Sequence, residues 1–205
     1  MIDNICTFLT NRIRKEMPEV DDEKAEIIFF GLQNMVGEIP KTILMILIAF
    51  FLGILKETLI AFFMILPYRA VSGGFHLKTH LGCIVGTCSF YFGIVLLAKY
   101  IVLNPIAKYV LISVIWGWGM IMIKKYVPAD TENVPILESK VRRKKQVLAY
   151  IIYTIGLAMA ILIENNVFAN MLIFGSIFQT FAVTKLAYKL TKNKYGYEVY
   201  RDELI

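Results

Sequence analysis

Six stretches of the chain carry no Asp, Glu, Lys or Arg and are separated by short polar connections. They are residues 42–55, 58–68, 79–98, 109–123, 147–163 and 165–184. A hydrocarbon core of about 30 Å requires roughly 17–25 helical residues. The last four stretches are long enough to cross it, the one at 109–123 after extension back through Pro105. The pattern predicts an all-α, polytopic integral membrane protein.

The first two stretches form one apolar run, residues 43–66, which only Lys56 and Glu57 interrupt. A single helix would bury both charges at mid-bilayer at a cost of about 2.5–3.5 kcal/mol each, whereas a hairpin keeps them at the interface. Because Lys and Arg collect in cytoplasmic loops, their distribution tests the alternatives. With six spans and both termini inside, only Lys56, Lys99 and Lys108 of the 22 Lys and Arg residues face outward. A five-span arrangement would place the N-terminal basic cluster and the later basic clusters on opposite sides of the membrane. Six transmembrane helices are therefore expected.

Residues 1–40 have a different, amphipathic pattern. Apolar residues recur at helical spacing up to Ile13, close to Arg12, Arg14 and Lys15, and Met17–Pro18 ends the pattern. A second helix should follow Asp21–Asp22, which can cap it, with an apolar stripe running to Ile39. We therefore expect a single membrane-embedded domain over 1–205. It comprises amphipathic interfacial helices at 1–40, a transmembrane bundle at 41–190 and a cytoplasmic tail at 191–205.

Composition supports this class. Hydrophobic residues make up 58% of the 205-residue chain, and the mean hydropathy is +0.62. Soluble domains usually contain about 45–50%, so the values exclude a disordered, collagen-like or disulfide-framed protein and argue against a soluble enzyme. The net charge of +6 lies in the predicted connections between spans. It therefore indicates a lipid bilayer as the partner and gives no support to nucleic-acid binding.

Candidate chemistry is concentrated in residues 67–83, which contain His76, His80 and Cys83. One interpretation is structural: Cys83 packs as a small apolar residue and His80 lies at the water interface. Another is a thiol nucleophile with an imidazole base, because a free thiol with a pKa of about 8.5 needs a nearby His or helix N-terminus to form thiolate. A third is a zinc site with these three residues as ligands, although no fourth ligand is evident.

The base cannot be chosen from spacing. Seven residues of continuous helix would separate His76 and Cys83 by about 10.5 Å of axial rise. A direct hydrogen bond therefore requires the helix to begin after His76, and Gly73–Gly74 supply a turn that could fold the histidine back. His80, three residues before Cys83, is the helical neighbour and competes for the role.

The segment Arg69-x-x-Ser72-Gly73-Gly74-Phe75-His76, followed seven residues later by Cys83, resembles the signature of the accessory gene regulator protein B (AgrB) family. The stretch 126–136 and the following basic residues are similar to that family's cytoplasmic loop. Members are integral-membrane cysteine endopeptidases of Gram-positive quorum sensing. Chain length, the amphipathic N-terminal part and the spans also agree.

The resemblance implies that this chain cleaves the C-terminal part of an AgrD-type pro-autoinducer peptide through an acyl-enzyme thioester. The peptide's own thiol or hydroxyl then closes a thiolactone or lactone ring. Cys83 would be the nucleophile and His76 the base, with Arg69, Gly73 and Gly74 in supporting roles and with no metal or other cofactor. The resemblance further implies a homodimer in the cell membrane of a Gram-positive-type bacterium, and the distribution of Lys and Arg predicts that both termini are cytoplasmic.

The basic run, defined as Arg142, Arg143, Lys144 and Lys145, has two interpretations. It binds anionic lipid and sets topology, or it also holds the acidic tail that the family resemblance implies for the precursor. The rival for the whole protein is a non-enzymatic small membrane transporter or peptide exporter in which Cys83 merely packs. That protein would tolerate replacement of Cys83 or His76.

Overall fold

The computed structural model describes residues 2–77, 79–132 and 134–203. All its regular elements in these ranges are helices, which confirms the all-α prediction. The chain packs as two compact units, Met1–Phe51 and Leu52–Ile205. The assignment of 1–205 to one membrane-embedded domain stays a prediction.

The first unit contains α1 (Ile2–Glu16) and α2 (Asp22–Phe51), which pack against each other. Helix α1 ends immediately before Met17–Pro18, as predicted. The carboxylate of Asp21 accepts the backbone N–H of Lys24 at 2.9 Å and so caps α2. Helix α1 therefore ends, and α2 begins, where the sequence signals indicate. The interfacial location of α1 stays a prediction.

Helix α2 differs from the expectation. The predicted amphipathic helix and the first apolar stretch form one 30-residue helix that continues through Pro40. An internal proline removes one backbone hydrogen bond and can bend a helix without ending it. No helix boundary therefore lies near residue 40.

The second unit is a bundle followed by a short C-terminal segment. Its helices are α3 (Leu55–Ser72), α4 (His80–Tyr100), α5 (Pro105–Tyr126), α6 (Ser139–Leu162), α7 (Asn166–Ala182), α8 (Lys185–Leu190) and α9 (Gly196–Val199), and a 3₁₀ turn covers Arg201–Glu203. Helix α7 packs against α3, α4, α5 and α6 and is the most central of them. At Gly175 a Cβ would come within 2.6 Å of Ile65, so this glycine permits the close approach of α3 and α7.

The apolar run at 43–66 is divided between α2 and α3, as the hairpin interpretation requires. The break lies at 52–54, where Gly53 has a φ of +69°, just before Lys56 and Glu57. Glu57 then pairs with Lys99 at the far end of α4, with 2.6 Å between Oε1 and Nζ. Glu57 and Lys99 therefore lie together at one end of the bundle.

Three of the described helices are long and apolar enough to cross a membrane. They are Leu81–Tyr100, Pro105–Tyr126 and Ser139–Leu162. Helix α7 is apolar but has 17 residues. These helices are those of a membrane protein, while the number of six spans stays a prediction.

The basic run was expected in a loop, and that expectation is wrong. Helix α6 begins at Ser139, eight residues before the apolar stretch at 147–163, so all four basic residues are helical. Arg, Lys and Gln are good helix formers, and they extend the helix beyond the apolar segment. The connection between α5 and α6 is therefore shortened to 127–138.

Candidate active site

The C-terminal end of α3 is a turn that only glycine can form. Gly73 and Gly74 have φ values of +71° and +140°, and the N–H of Gly73 donates to the carbonyl of Arg69 at 3.0 Å. Side chains make such φ values costly. The helix thus stops before His76, and α4 does not begin until His80. The geometric condition set out above for a His76–Cys83 contact, a helix that starts after His76, is met.

The turn is bound to the connection after α5. The N–H of Gly74 donates to the carbonyl of Ala129 at 2.9 Å, and the N–H of Ala129 donates to the carbonyl of Ser72 at 2.8 Å. A Cβ on Gly73 would lie 2.3 Å from the Ala129 oxygen. This close backbone approach explains why the position before Gly74 is also a glycine.

Cys83 lies in the first turn of α4. The side chain of Thr79 caps this helix by accepting the N–H of Gly82 at 3.0 Å, and the N–H of Cys83 donates to the Thr79 carbonyl at 2.9 Å. The expected position at a helix N-terminus is therefore confirmed. Cys83 is half-buried, whereas Cys6 and Cys88 are buried, and these three cysteines form no disulfide.

His76 is exposed on the connection between α3 and α4. Its carbonyl accepts a hydrogen bond from Asn193 Nδ2 at 2.8 Å. The side chain of His80 lies outside the described residues, so the choice between the two histidines as base stays a prediction.

Among the side chains that are described, no three His, Cys, Asp or Glu residues form a metal-binding group. The zinc alternative includes His80 and is not tested.

Gln179 of α7 binds the turn from inside the bundle. This fully buried side chain donates from Nε2 to the Gly73 carbonyl at 2.7 Å and to Ser72 Oγ at 2.9 Å. Its Oε1 accepts from Arg69 Nη1 at 3.1 Å. The predicted supporting residues Arg69, Gly73 and Gly74 are thereby part of one hydrogen-bonded group.

An open cavity of about 160 Å³ lies beside this turn. Gly73, Gly74 and His76 line it on one side, and Pro128, Asp130 and Lys145 are among the residues that line it on the other. The structure thus joins the α3–α4 connection, the α5–α6 connection and the basic run. Within the described part of the chain, the half-buried Cys83 lies outside this lining.

The four residues of the basic run have different environments. Arg142 points inward: its guanidinium donates to Asp130 Oδ2 at 2.9 Å and to the carbonyls of Pro128 and Ile136 at 3.1 and 3.2 Å. Arg143 and Lys144 are exposed. Arg142 therefore organises the α5–α6 connection, while its neighbours are accessible.

Tyr188 of α8 supports the same connection. Its hydroxyl lies 2.9 Å from the Ala129 carbonyl and 3.1 Å from the Asp130 carbonyl. Burial, and secondarily the charge of Asp130, raises the pKa of Tyr188 above its usual value, so the hydroxyl stays protonated and donates. The segment after α7 thus packs back onto the site.

Sequence reasoning missed Gln179, Asn193 and Tyr188. For Gln179 a signal exists, because a polar side chain inside an uncharged apolar helix is costly unless it is paired. For Asn193 and Tyr188 the sequence offers none, since Asn193 is an ordinary residue of the polar tail and Tyr188 lies just before it until the fold brings them to 73–76 and 129–130.

Comparisons with known proteins agree with the motif. Residues 6–183 match the family model of Accessory gene regulator B. An AgrB-like protein of Listeria innocua is 27% identical over 182 residues, which is 88% of this chain and 87% of that protein. AgrB-like protein 2 of Clostridium perfringens is 27% identical over 168 residues, 79% and 77% of the two chains. An AgrB-like protein of Clostridium acetobutylicum is 22% identical over 168 residues, 80% and 77%.

No solved structure matches the chain. The family match nevertheless covers α1 from Cys6 onward, all of α2, the glycine turn, Cys83 and all of α7. The chain belongs to the Accessory gene regulator B family.

Proposed function

We propose that this protein is a membrane cysteine endopeptidase that cleaves an AgrD-type precursor peptide on its C-terminal side and promotes its cyclisation. Family membership supports a role in agr quorum-sensing peptide processing. The proposal adds the reaction and its residues, with Cys83 as the nucleophile and His76 as the base.

One observation carries the proposal. The chain leaves α3 through the Gly73–Gly74 turn, presents His76 on an exposed connection beside a cavity, and places Cys83 in the first turn of the next helix. The N-terminus of a helix carries partial positive charge, which suits a reaction that uses an anionic nucleophile. The imidazole of His76 comes just before the start of α4 along the chain, and the thiol of Cys83 comes just after it. These are the two groups that nucleophilic catalysis by cysteine uses.

The first half-reaction releases the C-terminal fragment. His76 takes the proton of Cys83, and the thiolate attacks a peptide carbonyl of the bound precursor. When the carbon–nitrogen bond breaks, the imidazolium returns its proton to the leaving amine. The N-terminal part of the peptide stays on Cys83 as a thioester.

The second half-reaction closes the ring. A thiol or hydroxyl within the bound peptide attacks the thioester carbonyl and displaces the Cys83 thiolate, which is then reprotonated. Exchange of one thioester for another is nearly even in energy, so cyclisation conserves the activation that hydrolysis would lose. A site at the membrane surface favours this outcome by limiting water.

The accessible part of the basic run provides the substrate-binding charge. We assign this role to Arg143, Lys144 and Lys145, the last of which lines the cavity beside His76. Arg142 contributes indirectly by shaping the α5–α6 connection. The site, both termini and the basic run are proposed to face the cytoplasm, and a homodimer is proposed as the working unit.

Mass spectrometry of precursor incubated with the purified full-length protein tests the proposal. Cys83→Ser and His76→Ala, made singly, should abolish release of the C-terminal fragment at normal abundance and membrane insertion. Cys88→Ser, five residues further along α4, is the matched control and should keep cleavage. Wild-type cleavage by Cys83→Ser would end the proposal, and a wild-type protein that does not cleave the precursor would favour the exporter. His80→Ala with loss equal to His76→Ala would leave the base unassigned.

A further inference from the structure

Two side-chain amides hold the two ends of the segment that carries His76. Gln179 Nε2 donates to the carbonyl of Gly73 at 2.7 Å. Asn193 Nδ2 donates to the carbonyl of His76 at 2.8 Å. One amide comes from the most central helix and the other from the C-terminal segment. Residues 73–76 are thus held at both ends by parts of the chain more than 100 positions away.

We propose that Gln179 and Asn193 are positioning residues for His76, an inference that rests on the proposed function. Glycine has the widest backbone freedom of any residue, and two lie in succession at the start of this segment. Left alone, Gly73 and Gly74 would let the imidazole sample many positions. Hydrogen bonds to the first and last carbonyls of the segment restrict its backbone and so narrow the range of positions that the imidazole can reach.

The orientation of the Gln179 amide is fixed by its partners. A guanidinium only donates and a carbonyl only accepts, so Oε1 must face Arg69 and Nε2 must face Gly73. Gln179 is fully buried, and a buried amide is tolerated when its groups are paired. Rotation of this side chain would break several bonds at once, which makes it a rigid support.

Asn193 is itself held by the segment that carries it. Its backbone N–H donates to the Tyr188 carbonyl at 2.9 Å, and its side chain also donates to Thr191 Oγ1 at 2.9 Å. It lies beyond the residues 6–183 that match the family. The inference therefore extends the working site into a part of the chain that the family match does not cover.

Positioning matters because a general base acts only within hydrogen-bond reach of the proton it takes. A displacement of about 1 Å can cost about 100-fold in rate. Loss of either amide should therefore lower the rate of the chemical step more than the affinity for the peptide.

Asn170 provides a matched control for Gln179. It lies on the same helix, is 2% exposed, and donates from Nδ2 to the Ile101 carbonyl at 2.8 Å, at the end of the bundle away from His76. Gln179→Met and Asn170→Leu each remove a buried amide and keep the side-chain size. A purely structural role predicts the same outcome for both.

The test measures kcat, KM and thermal stability with purified full-length protein in lipid nanodiscs and a synthetic precursor. Gln179→Met removes the hydrogen bonds to Arg69, Ser72 and Gly73 and should lower kcat at least about tenfold, with KM within about threefold. Asn170→Leu should lower the melting temperature by about as much as Gln179→Met does, but it should leave kcat within about twofold of the wild-type value. Asn193→Ala, at a half-buried position where folding is not at risk, should lower kcat about fivefold.

A second readout is the rate at which iodoacetamide modifies Cys83 as a function of pH. The profile should shift in Gln179→Met and Asn193→Ala but not in Asn170→Leu. Equal losses of kcat in Gln179→Met and Asn170→Leu, or wild-type kcat in Asn193→Ala, would overturn the inference. Wild-type cleavage by His76→Ala would instead overturn the proposed function, and the inference with it.

Discussion

The hydroxyl of Tyr188 donates to the carbonyl of Ala129 at 2.9 Å, and the same carbonyl accepts the N–H of Gly74. The C-terminal segment therefore supports the α5–α6 connection, which in turn supports the glycine turn. Through these two bonds, a residue of α8 contributes to the position of the segment that carries His76.

Removing that hydroxyl should slow cleavage. Tyr188→Phe removes the hydroxyl that donates to the Ala129 and Asp130 carbonyls, and we expect kcat to fall about fivefold. Tyr195→Phe is the control, because Tyr195 stacks on Tyr188 with ring centroids 4.0 Å apart and donates to the Val183 carbonyl instead. It should lose a similar amount of stability, about 1–3 kcal/mol, but keep kcat. Parallel loss of kcat in both variants would contradict a specific role for Tyr188.

Gly73→Ala should inactivate the protein. The methyl group would lie 2.3 Å from the Ala129 oxygen, and the φ of +71° adds about 1–3 kcal/mol of strain. The turn would have to move away from the α5–α6 connection. Gly117→Ala, in α5 with nothing within 4 Å of its added methyl, is the matched control and should keep cleavage and abundance. Cleavage assays with immunoblots for abundance compare the two, and an active Gly73→Ala would show that the turn can shift freely.

Substitutions in the basic run should have two different effects, one on the stability of the protein and the other on its affinity for the precursor. Arg142→Ala leaves the Asp130 carboxylate, whose side chain is 0% exposed, without its cation, and it should destabilise the protein by about 3–5 kcal/mol. The double variant Arg143→Gln with Lys144→Gln should keep stability but raise KM for the precursor. Melting curves and steady-state kinetics distinguish these outcomes. If the double variant impairs membrane insertion and processing equally, the run only binds lipid.

The proposed orientation can be measured with single cysteines in a background where Cys6, Cys83 and Cys88 are serine. Val102 is 84% exposed between α4 and α5, and Lys144 is exposed near the start of α6. On intact cells a membrane-impermeant maleimide should label Val102→Cys and not Lys144→Cys. Permeabilised cells should label both. The reverse pattern would put the active site outside the cell.

Some helix boundaries follow from local signals, such as the predicted start of α2 after Asp21. Asn104 before Pro105, and Thr79 before the apolar stretch, cap α5 and α4 as their residue types indicate. The break after α3 followed from Gly73–Gly74 for the same reason, since the determining residues lie within one turn of the feature.

Tertiary partners could not be predicted in the same way. Arg142 and Arg143 are adjacent and chemically identical, yet one is drawn inward by Asp130, twelve residues earlier, and the other is exposed. Likewise, the role of Gln179 depends on α7 packing against the end of α3. Such pairings need the packed bundle, because spacing along the chain says nothing about them. The boundary expected at residue 40 rested on the change from an amphipathic to an apolar pattern, and α2 continues across it because both patterns are compatible with one helix.

The central claim is that Cys83 carries the peptide during the reaction. Intact-mass spectrometry of the purified protein, acid-quenched within the first turnover with precursor, tests it directly. We predict a mass increase equal to the N-terminal part of the precursor, located on Cys83, removed by hydroxylamine and absent in Cys83→Ser. Cleavage of the precursor without such an adduct, or with the adduct on another residue, would contradict the account.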